Sequence, residues 1–406
     1  MNPLEEKGIP VEDQYRSWSD LNAEPYEKST VDPYTRTRVI LMNGIEVESI
    51  IFSHQFARHT DLPELRQALA MGRRADSQQQ KVVNNLNPGD QTPLETTIGY
   101  EQVAVDLTAW LARHEPDPML KQALDFALLE DFDHLYRYAN LYEMMVGRKA
   151  EELTGHLTEI MPGRPTHAHH RHPADMVRGH YLTQTVDPQS RLNVMTIVAA
   201  EQQTMNYYMN HHPEWVEPIA RSLYTEIAMV EEEHVSHYES LIDPLDSWLK
   251  QWVFHEYNEC WLYWSMAQQE SDRRIKAIWE QHMEMEIGQL QVACQFLRQL
   301  EGVEPEEILP PSLPATPLTF EPNKEYVREI LATTVDLRTD ETEYVPVDQL
   351  PSDHRFFSFQ KKVNAGGIPS EQVIDQNRAA NGRDYRDQTE GEHPIPDLRQ
   401  QAKARA

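Results

Sequence analysis

The 406-residue sequence contains only two cysteines, Cys260 and Cys294, and no C-x-x-C pair. Two thiols cannot build a disulfide framework, a zinc ribbon or a rubredoxin site, so we expect both to be reduced and buried. The sequence also lacks an apolar run of about 20 residues, the length needed to cross a bilayer, and its first residues lack the pattern of a secretory signal. These absences predict a soluble, cytoplasmic protein.

Positive charge is scarce in this chain. Lys and Arg together number 37 against 66 for Asp and Glu, which gives a formal net charge of −29. Such an acidic chain repels the phosphates of nucleic acids and anionic membrane surfaces. We therefore expect no nucleic-acid partner and no membrane partner, and we interpret most of the acids as solvated surface groups.

Prolines and caps divide the middle of the sequence into helical segments. The stretch TPLE at 92–95 combines an N-cap threonine, a proline at the first helical position and the glutamate of a capping box, so it predicts the start of a strong helix. Prolines interrupt the helical pattern once within 93–147 and once within 188–242, so each range predicts a helical hairpin. A third helix pair is predicted from 244 to 301, where Gly302 can cap the end.

These segments suggest three consecutive parts. Residues 1–92 are predicted to hold a polar arm of about 35 residues and two helices, at roughly 47–58 and 62–86. Residues 93–302 form the predicted all-α domain. Residues 303–406 are proline-rich and polar, with one short strand expected at TVDLR, and predict an extended, weakly structured arm that wraps a neighbouring subunit. The sequence therefore predicts a homo-oligomer assembled through its terminal arms.

The two hairpins carry the same pattern of acids and histidines. Each has a glutamate, an acid 30 residues later and a histidine three residues after that, which reads E-x29-[D/E]-x-x-H. The six residues are Glu101, Asp131, His134, Glu201, Glu231 and His234. Among the 18 histidines, only His134 and His234 satisfy this pattern, whereas composition predicts about 0.3 such matches by chance.

Helix geometry predicts that these six side chains converge. In each hairpin the break lies about 15 residues from both acids, or roughly 22 Å along each helix, so antiparallel helices place the acids at the same height. The histidine lies one turn further on the same face. Four carboxylates inside a bundle repel one another unless cations neutralise them, so the pattern predicts two metal ions. The alternative is surface acids with incidental histidines, but apolar neighbours such as Leu107, Leu128 and Ile227 favour a buried face.

This pattern resembles that of the ferritin-like di-iron carboxylate superfamily, which includes rubrerythrins, manganese catalases and ribonucleotide reductase small subunits. The resemblance covers about residues 93–242 and implies a ferritin-like helical bundle, with iron as the expected metal and manganese as the alternative. It implies a non-haem dimetal oxidoreductase that reacts with dioxygen or peroxide, with or without a small organic substrate. Two other functions fit the same residues: an iron-binding or storage protein with ferroxidase activity, and a bundle with a purely structural metal site.

The residues beside the expected ligands refine this prediction. Asp131 stands where the family has glutamate, and because it is one methylene shorter, bridging two metals is harder. Glu130 is adjacent but points about 100° away on the helix, so it is the weaker candidate. Tyr138 and Tyr238 each follow an expected histidine ligand by four residues, a position that suits a ligand partner but fits a core tyrosine better. The absence of rubredoxin cysteines argues against an electron chain of the rubrerythrin kind.

Two further features invite a metal-binding interpretation. The segment THAHHRHP at 166–173 contains four histidines, a composition that binds metals opportunistically. Glu256 and Glu286 in the third helix pair are also 30 positions apart, but Gln289 stands in the place of histidine. We interpret this pair as a degenerate copy whose acids are solvated and whose apolar residues pack a core.

Overall fold

The computed structural model describes residues 1–403, with side chains up to Arg399. Its helices, in chain order, are α1 (Pro33–Arg58), α2 (Pro63–Asn84), α3 (Pro93–His114), α4 (Pro118–Val146), α5 (Glu151–Thr154), α6 (Thr166–His169), α7 (Pro188–His211), α8 (Pro218–Glu239), α9 (Trp248–Gln269), α10 (Arg273–Glu301), α11 (Lys324–Thr334), α12 (Arg355–Val363), α13 (Pro369–Asn381) and α14 (Pro396–Lys403). Strands β1 (Leu337–Asp340) and β2 (Glu343–Pro346) form one antiparallel ladder. The mostly helical fold confirms the predicted all-α class, and none of the helices within residues 1–403 has the length and apolarity needed to span a membrane.

The predicted helix boundaries are largely confirmed. Thr92 and Glu95 form the expected capping box at the start of α3, with hydrogen bonds of 2.8 and 3.3 Å. The C-terminal caps of α4 and α10 are Gly147 and Gly302, which adopt left-handed φ angles of 71° and 66°. Glycine reaches this conformation without the steric cost that other residues carry.

The start of α1 differs from the prediction. The helix begins at Pro33, after the Asp32 side chain accepts a hydrogen bond of 2.7 Å from the Tyr34 backbone N–H, and not near residue 47. Every residue from 34 to 46 is buried. A helix that is buried on all sides shows no alternation between apolar and polar faces, so its first half carried no periodic signal.

Contacts along the chain define two compact units, each built from three separate segments. The first unit comprises Met1–Gln91, Tyr181–Gln203 and Ile242–Phe320. The second unit comprises Thr92–His180, Thr204–Leu241 and Glu321–Ala406. This division differs from the three consecutive parts suggested by the sequence, because helix pairs that are distant in the chain pack together.

In the first unit, the α1–α2 hairpin packs against the α9–α10 hairpin. The N-terminal segment lies along α10, where the Ile9 N–H donates to the carbonyl oxygen of Glu284 at 2.8 Å and the Gln14 amide donates to that of Met285 at 2.8 Å. The expected polar arm therefore binds a helix of its own chain.

The second unit contains the α3–α4 hairpin, α8 and the second half of α7. Helices α11 and α13 pack on α4, and α13 also packs on α8. Apolar residues of α11 and α13 belong to the main core cluster, including Leu331 and Val373. Residues 321–399 are thus more structured than the weakly structured arm that was predicted, because a few apolar residues at helical spacing suffice to bury one face. The expected strand near TVDLR is confirmed as β1.

Candidate metal centre

The α3–α4 hairpin positions three of the expected ligands. The Asp117 side chain caps α4 by accepting a hydrogen bond of 2.8 Å from the Met119 backbone N–H, which fixes the turn between the helices. Glu101 lies on α3, and Asp131 and His134 lie on α4, each with 0 % of its surface exposed. The ligand face is buried, as its apolar neighbours predict.

Five of the six expected ligands lie in the second unit, and their side chains converge. Glu101, His134 and Glu231 each place one ligand atom within 4.8 Å of the other two. Asp131, His234 and Glu231 form a second group with ligand atoms within the same distance. The imidazole centroids of His134 and His234 are 5.8 Å apart. Glu231 belongs to both groups, so the five side chains form two groups that share one carboxylate and could each hold a metal ion.

His234 lies among three carboxylates. Nε2 lies 2.8 Å from Oε2 of Glu130. Burial alone would raise the pKa of Glu130, but the Arg171 guanidinium holds it well below its usual range, so this carboxylate accepts a hydrogen bond from Nε2–H. The other nitrogen, Nδ1, lies 3.2 Å from Oδ1 of Asp131 and 3.4 Å from Oε2 of Glu231. Glu130 thus orients the ring so that Nδ1 faces the other two carboxylates.

His169 orients the ring of His134, as Glu130 orients the ring of His234. Nε2 of His169 lies 2.6 Å from the carbonyl oxygen of Arg164, which can only accept, so Nε2 carries the proton. Burial lowers the pKa of His169 well below its usual value and keeps the ring neutral. Nδ1 of His169 therefore accepts from Nε2–H of His134 at 3.4 Å. Nδ1 of His134 then faces Glu231, 3.0 Å from its Oε1.

The two acids on this face have opposite pKa shifts. Burial raises the pKa of Asp131, although the neighbouring His234 opposes the shift. Burial would also raise the pKa of Glu231, but its contacts with His134 and His234 lower it to about 2. Glu231 is thus an anion with no exposure to water, and a buried anion requires a cationic partner.

The sixth expected ligand, Glu201, is 1 % exposed and lies on α7, in the stretch that belongs to the first unit. Tyr208 follows it by two helical turns, so the two side chains lie on the same face of α7. Tyr208 belongs to the second unit, where its hydroxyl donates to Oε1 of Glu101. Sequence reasoning missed Tyr208, although the seven-residue spacing from Glu201 was available as a signal. Glu201 itself stays a predicted ligand.

The tyrosines near the centre pack as core residues. The Tyr138 ring lies 5.3 Å from that of Tyr208 and 4.9 Å from that of Tyr224. Its hydroxyl is buried without a hydrogen-bond partner among residues 1–399. Tyr238 is also fully buried. An aromatic layer of this kind excludes water from the carboxylates beside it.

The histidines of the 166–173 segment face different partners. His169 contacts His134, whereas His170 lies 3.8 Å from both Glu226 and Glu233. His172 caps a short turn by accepting from the Ala174 N–H at 3.2 Å. The segment contributes one histidine to the surroundings of the centre, a role that the count of histidines alone could not reveal.

The interpretation of the third helix pair was wrong in one respect. Glu256 is 4 % exposed and Glu286 is 0 % exposed, so these acids are not solvated. Both lie within the first unit, where the α1–α2 hairpin covers them. Because Gln289 takes the place of histidine, the sequence pattern favoured solvated acids over a buried cluster.

The second unit also contains a cavity of about 600 Å³. His170, Glu226 and Glu233 line part of its wall. A chain of charged contacts leads from this wall to the centre: Glu233 lies 3.6 Å from Arg171, and Arg171 lies 2.8 Å from Glu130, which holds His234. The cavity thus lies two side chains away from an expected ligand.

The sequence matches no protein-family model, and comparisons with curated proteins and with solved structures returned no match. The inferences that follow therefore draw on the chain's own residues.

Proposed function

We propose that the second unit holds a dinuclear non-haem metal centre of the ferritin-like carboxylate type, and that the protein is an oxidoreductase acting on dioxygen or peroxide. The observation that carries the proposal is the convergence of two buried imidazoles on buried carboxylates, with Nδ1 of His134 3.0 Å from Glu231 and Nδ1 of His234 3.2 Å from Asp131. Carboxylates buried together in this way are costly unless cations neutralise them.

The donor set favours iron, with manganese as the alternative. The five expected ligands of the second unit supply two imidazole nitrogens and three carboxylates, and the sequence repeat adds the carboxylate of Glu201. Hard carboxylate oxygens combined with imidazole suit iron and manganese, whereas no thiolate is present to favour softer ions. Asp131 belongs to the group that contains His234, while Glu231 is common to both groups. Asp131 would therefore be a ligand of one metal, and Glu231 would be available to both.

A bound pair of metals would supply a two-electron step for dioxygen or peroxide. The chain's own residues orient the ligands and exclude water. Glu130 and His169 fix the two imidazole rings, which preserves the ligand geometry. Because the five ligands in the second unit are at most 1 % exposed, the reactant that reaches the metals must be small.

The neighbouring cavity is the candidate position for a small organic substrate. Its volume of about 600 Å³ falls in the range of small-molecule sites. Burial would lower the pKa of His170 on its wall, but the carboxylates of Glu226 and Glu233, each 3.8 Å away, raise it to about 9. The wall thus combines a cationic imidazole with carboxylates, which suits a polar rather than a purely apolar molecule.

Metal analysis after anaerobic purification and reconstitution tests the proposal. We expect about two iron or manganese ions per chain, and consumption of dioxygen or peroxide by the ferrous protein over repeated cycles. Replacing His234 by alanine should remove at least one ion, whereas His156→Ala, which changes an exposed imidazole, should remove none. Many irons per chain would indicate storage, metal without turnover would indicate a structural site, and fewer than one ion would exclude the centre.

A further inference from the structure

The first unit repeats the residue spacing of the metal centre with glutamine in place of histidine. The α1–α2 hairpin and the α9–α10 hairpin each read E-x29-[D/E]-x-x-Q. The six residues are Glu46, Asp76, Gln79, Glu256, Glu286 and Gln289. Four hairpins of this chain therefore share one pattern, two ending in histidine and two ending in glutamine.

The structure brings the acids of this second pattern together. One carboxylate oxygen each from Glu46, Glu259 and Glu286 lie within 4.8 Å of one another. These residues lie on α1, α9 and α10, and their exposures are 0 %, 2 % and 0 %. Glu259 stands one helical turn beyond Glu256, whose carboxylate accepts from the Trp252 indole at 2.6 Å. Glu259 therefore takes the position in the cluster that the repeat alone would assign to Glu256.

Both glutamines reach this cluster. The Gln79 amide donates to Oε1 of Glu286 and lies 3.4 Å from Oε1 of Glu46. The Gln289 amide donates to Oδ1 of Asp76 at 2.7 Å and to Oε2 of Glu286 at 3.3 Å. Within residues 1–399, the amide oxygens of Gln79 and Gln289 are buried and have no hydrogen-bond partner. The amide nitrogens therefore face the carboxylates, and both amide oxygens are left without a partner.

Among the charged side chains near these acids, Arg16 interacts electrostatically with Glu46. Among the residues with described side chains, no Lys, Arg or His forms an ion pair with Glu46, Glu259 or Glu286, and one oxygen each of Glu46 and Glu259 lacks a hydrogen-bond partner. Burial, together with the neighbouring carboxylate of Asp76, raises the pKa of Glu286 to about 8. Several mutually repelling acids in one buried place are costly unless protons or a metal ion neutralise them.

We propose that this cluster binds one hard divalent cation, of the class of Mn²⁺, Mg²⁺ or Ca²⁺, through the carboxylates of Glu46, Glu259 and Glu286. Carboxylates without an imidazole form a set of oxygen donors alone, which such ions prefer. The ion would connect α1, α9 and α10 and so stabilise the first unit. This site is separate from the dinuclear centre and does not depend on it.

The test uses the full chain with the dinuclear centre disabled. In a His134→Ala/His234→Ala background, we expect one Mn²⁺ per chain to remain bound, measured by electron paramagnetic resonance of the free ion. Adding Glu46→Gln or Glu259→Gln should weaken this binding at least about tenfold, because each removes one charged ligand. Glu284→Gln, which changes an exposed acid on α10, the helix of Glu286, should leave Mn²⁺ binding unchanged.

A second measurement covers the case in which the background variant does not fold. Ca²⁺ alone should raise the unfolding temperature of the wild-type chain and should not raise that of Glu259→Gln. Two results together would overturn the proposal: the wild type gains no stability from Ca²⁺, and its carboxylic-acid infrared bands persist at pH 8 in excess Mn²⁺. Protons rather than a metal ion would then neutralise the acids. Loss of iron in His234→Ala with this Mn²⁺ site intact would separate the two proposals.

Discussion

Nδ1 of His169 lies 3.4 Å from Nε2 of His134, and the opposite nitrogen of His169 lies 2.6 Å from the carbonyl oxygen of Arg164. This short chain fixes the ring of an expected metal ligand from a segment 35 residues further along the sequence. His169 thus acts on the centre through His134.

The first prediction concerns this contact. Replacing His169 by alanine should lower metal affinity about 10- to 100-fold while leaving about two ions bound at saturation, because the partner of a ligand is lost but no ligand is removed. Titration with Fe²⁺ under anaerobic conditions measures both quantities. His172→Ala, in the same segment, serves as the control. A saturated content of one ion in His169→Ala would mean that His169 is itself a ligand.

The second prediction separates Asp131 from its neighbour Glu130. Asp131→Ala should lose at least one of the two metal ions, whereas Asp131→Glu should retain both and change the rate of iron oxidation, because a longer carboxylate alters the reach of the ligand. Metal content and stopped-flow absorbance check these outcomes. An unchanged content and rate in Asp131→Ala would remove Asp131 from the site.

Glu130→Gln should behave differently, because this residue neutralises Arg171 at 2.8 Å and orients His234. We expect both metal ions to bind at saturation, but the free energy of unfolding should fall by about 3 kcal/mol, the cost of breaking a buried ion pair. Urea denaturation of the metal-free chain measures this loss. Loss of one ion at saturation with an unchanged unfolding midpoint would instead place Glu130 among the ligands.

Much of the helical framework could be predicted from the sequence because its signals are local. The capping box at Thr92 and the glycine caps at Gly147 and Gly302 depend on a few adjacent residues. The spacing of Glu101, Asp131 and His134 was equally informative, since a hairpin with a central break converts sequence distance into height along the bundle.

Other features depend on contacts that no local pattern encodes. The buried first half of α1 lacked periodicity, and the pairing of α1–α2 with α9–α10 joins segments about 200 residues apart. The role of His169 depends on the path of the 166–173 segment, which its composition does not specify. The spacing of Glu256 and Glu286 was visible in the sequence, but their burial was not, because Gln289 stands where a histidine would have indicated a ligand set.

The third prediction concerns pH. Burial alone would lower the pKa of His170, but Glu226 and Glu233 raise it to about 9, above the unfolded value of about 6.5. A group whose pKa is raised on folding stabilises the fold fully below the unfolded pKa and loses this contribution as pH rises through the folded pKa. The contribution should therefore disappear between about pH 6.5 and 9, with an upper limit on the order of 3 kcal/mol.

Urea denaturation at several pH values measures this loss. His170→Gln should flatten the decrease in the free energy of unfolding over that pH range, whereas His156→Gln, at an exposed position, should keep the wild-type slope. Equal slopes for the wild type and His170→Gln would show that the pair of glutamates does not hold a proton on His170.

The fourth prediction concerns the N-terminal segment. A Cβ atom added at Gly288 would lie 1.9 Å from the carbonyl oxygen of Ile9, a distance at which the backbone must move. Gly288→Ala should therefore detach this segment from α10 and lower the free energy of unfolding by about 1–3 kcal/mol. The contacts at risk include the bonds from Ile9 to Glu284 and from Gln14 to Met285, each 2.8 Å long.

Limited proteolysis and urea denaturation check this detachment. Cleavage near residues 5–16 should accelerate in Gly288→Ala, because a released segment becomes accessible to protease. Gly89→Ala is the matched control, since an added Cβ there meets no atom within 4 Å, and it should change stability by less than about 0.5 kcal/mol. Unchanged cleavage and stability in Gly288→Ala would contradict this packing and leave the segment available to a neighbouring subunit, as the sequence had suggested.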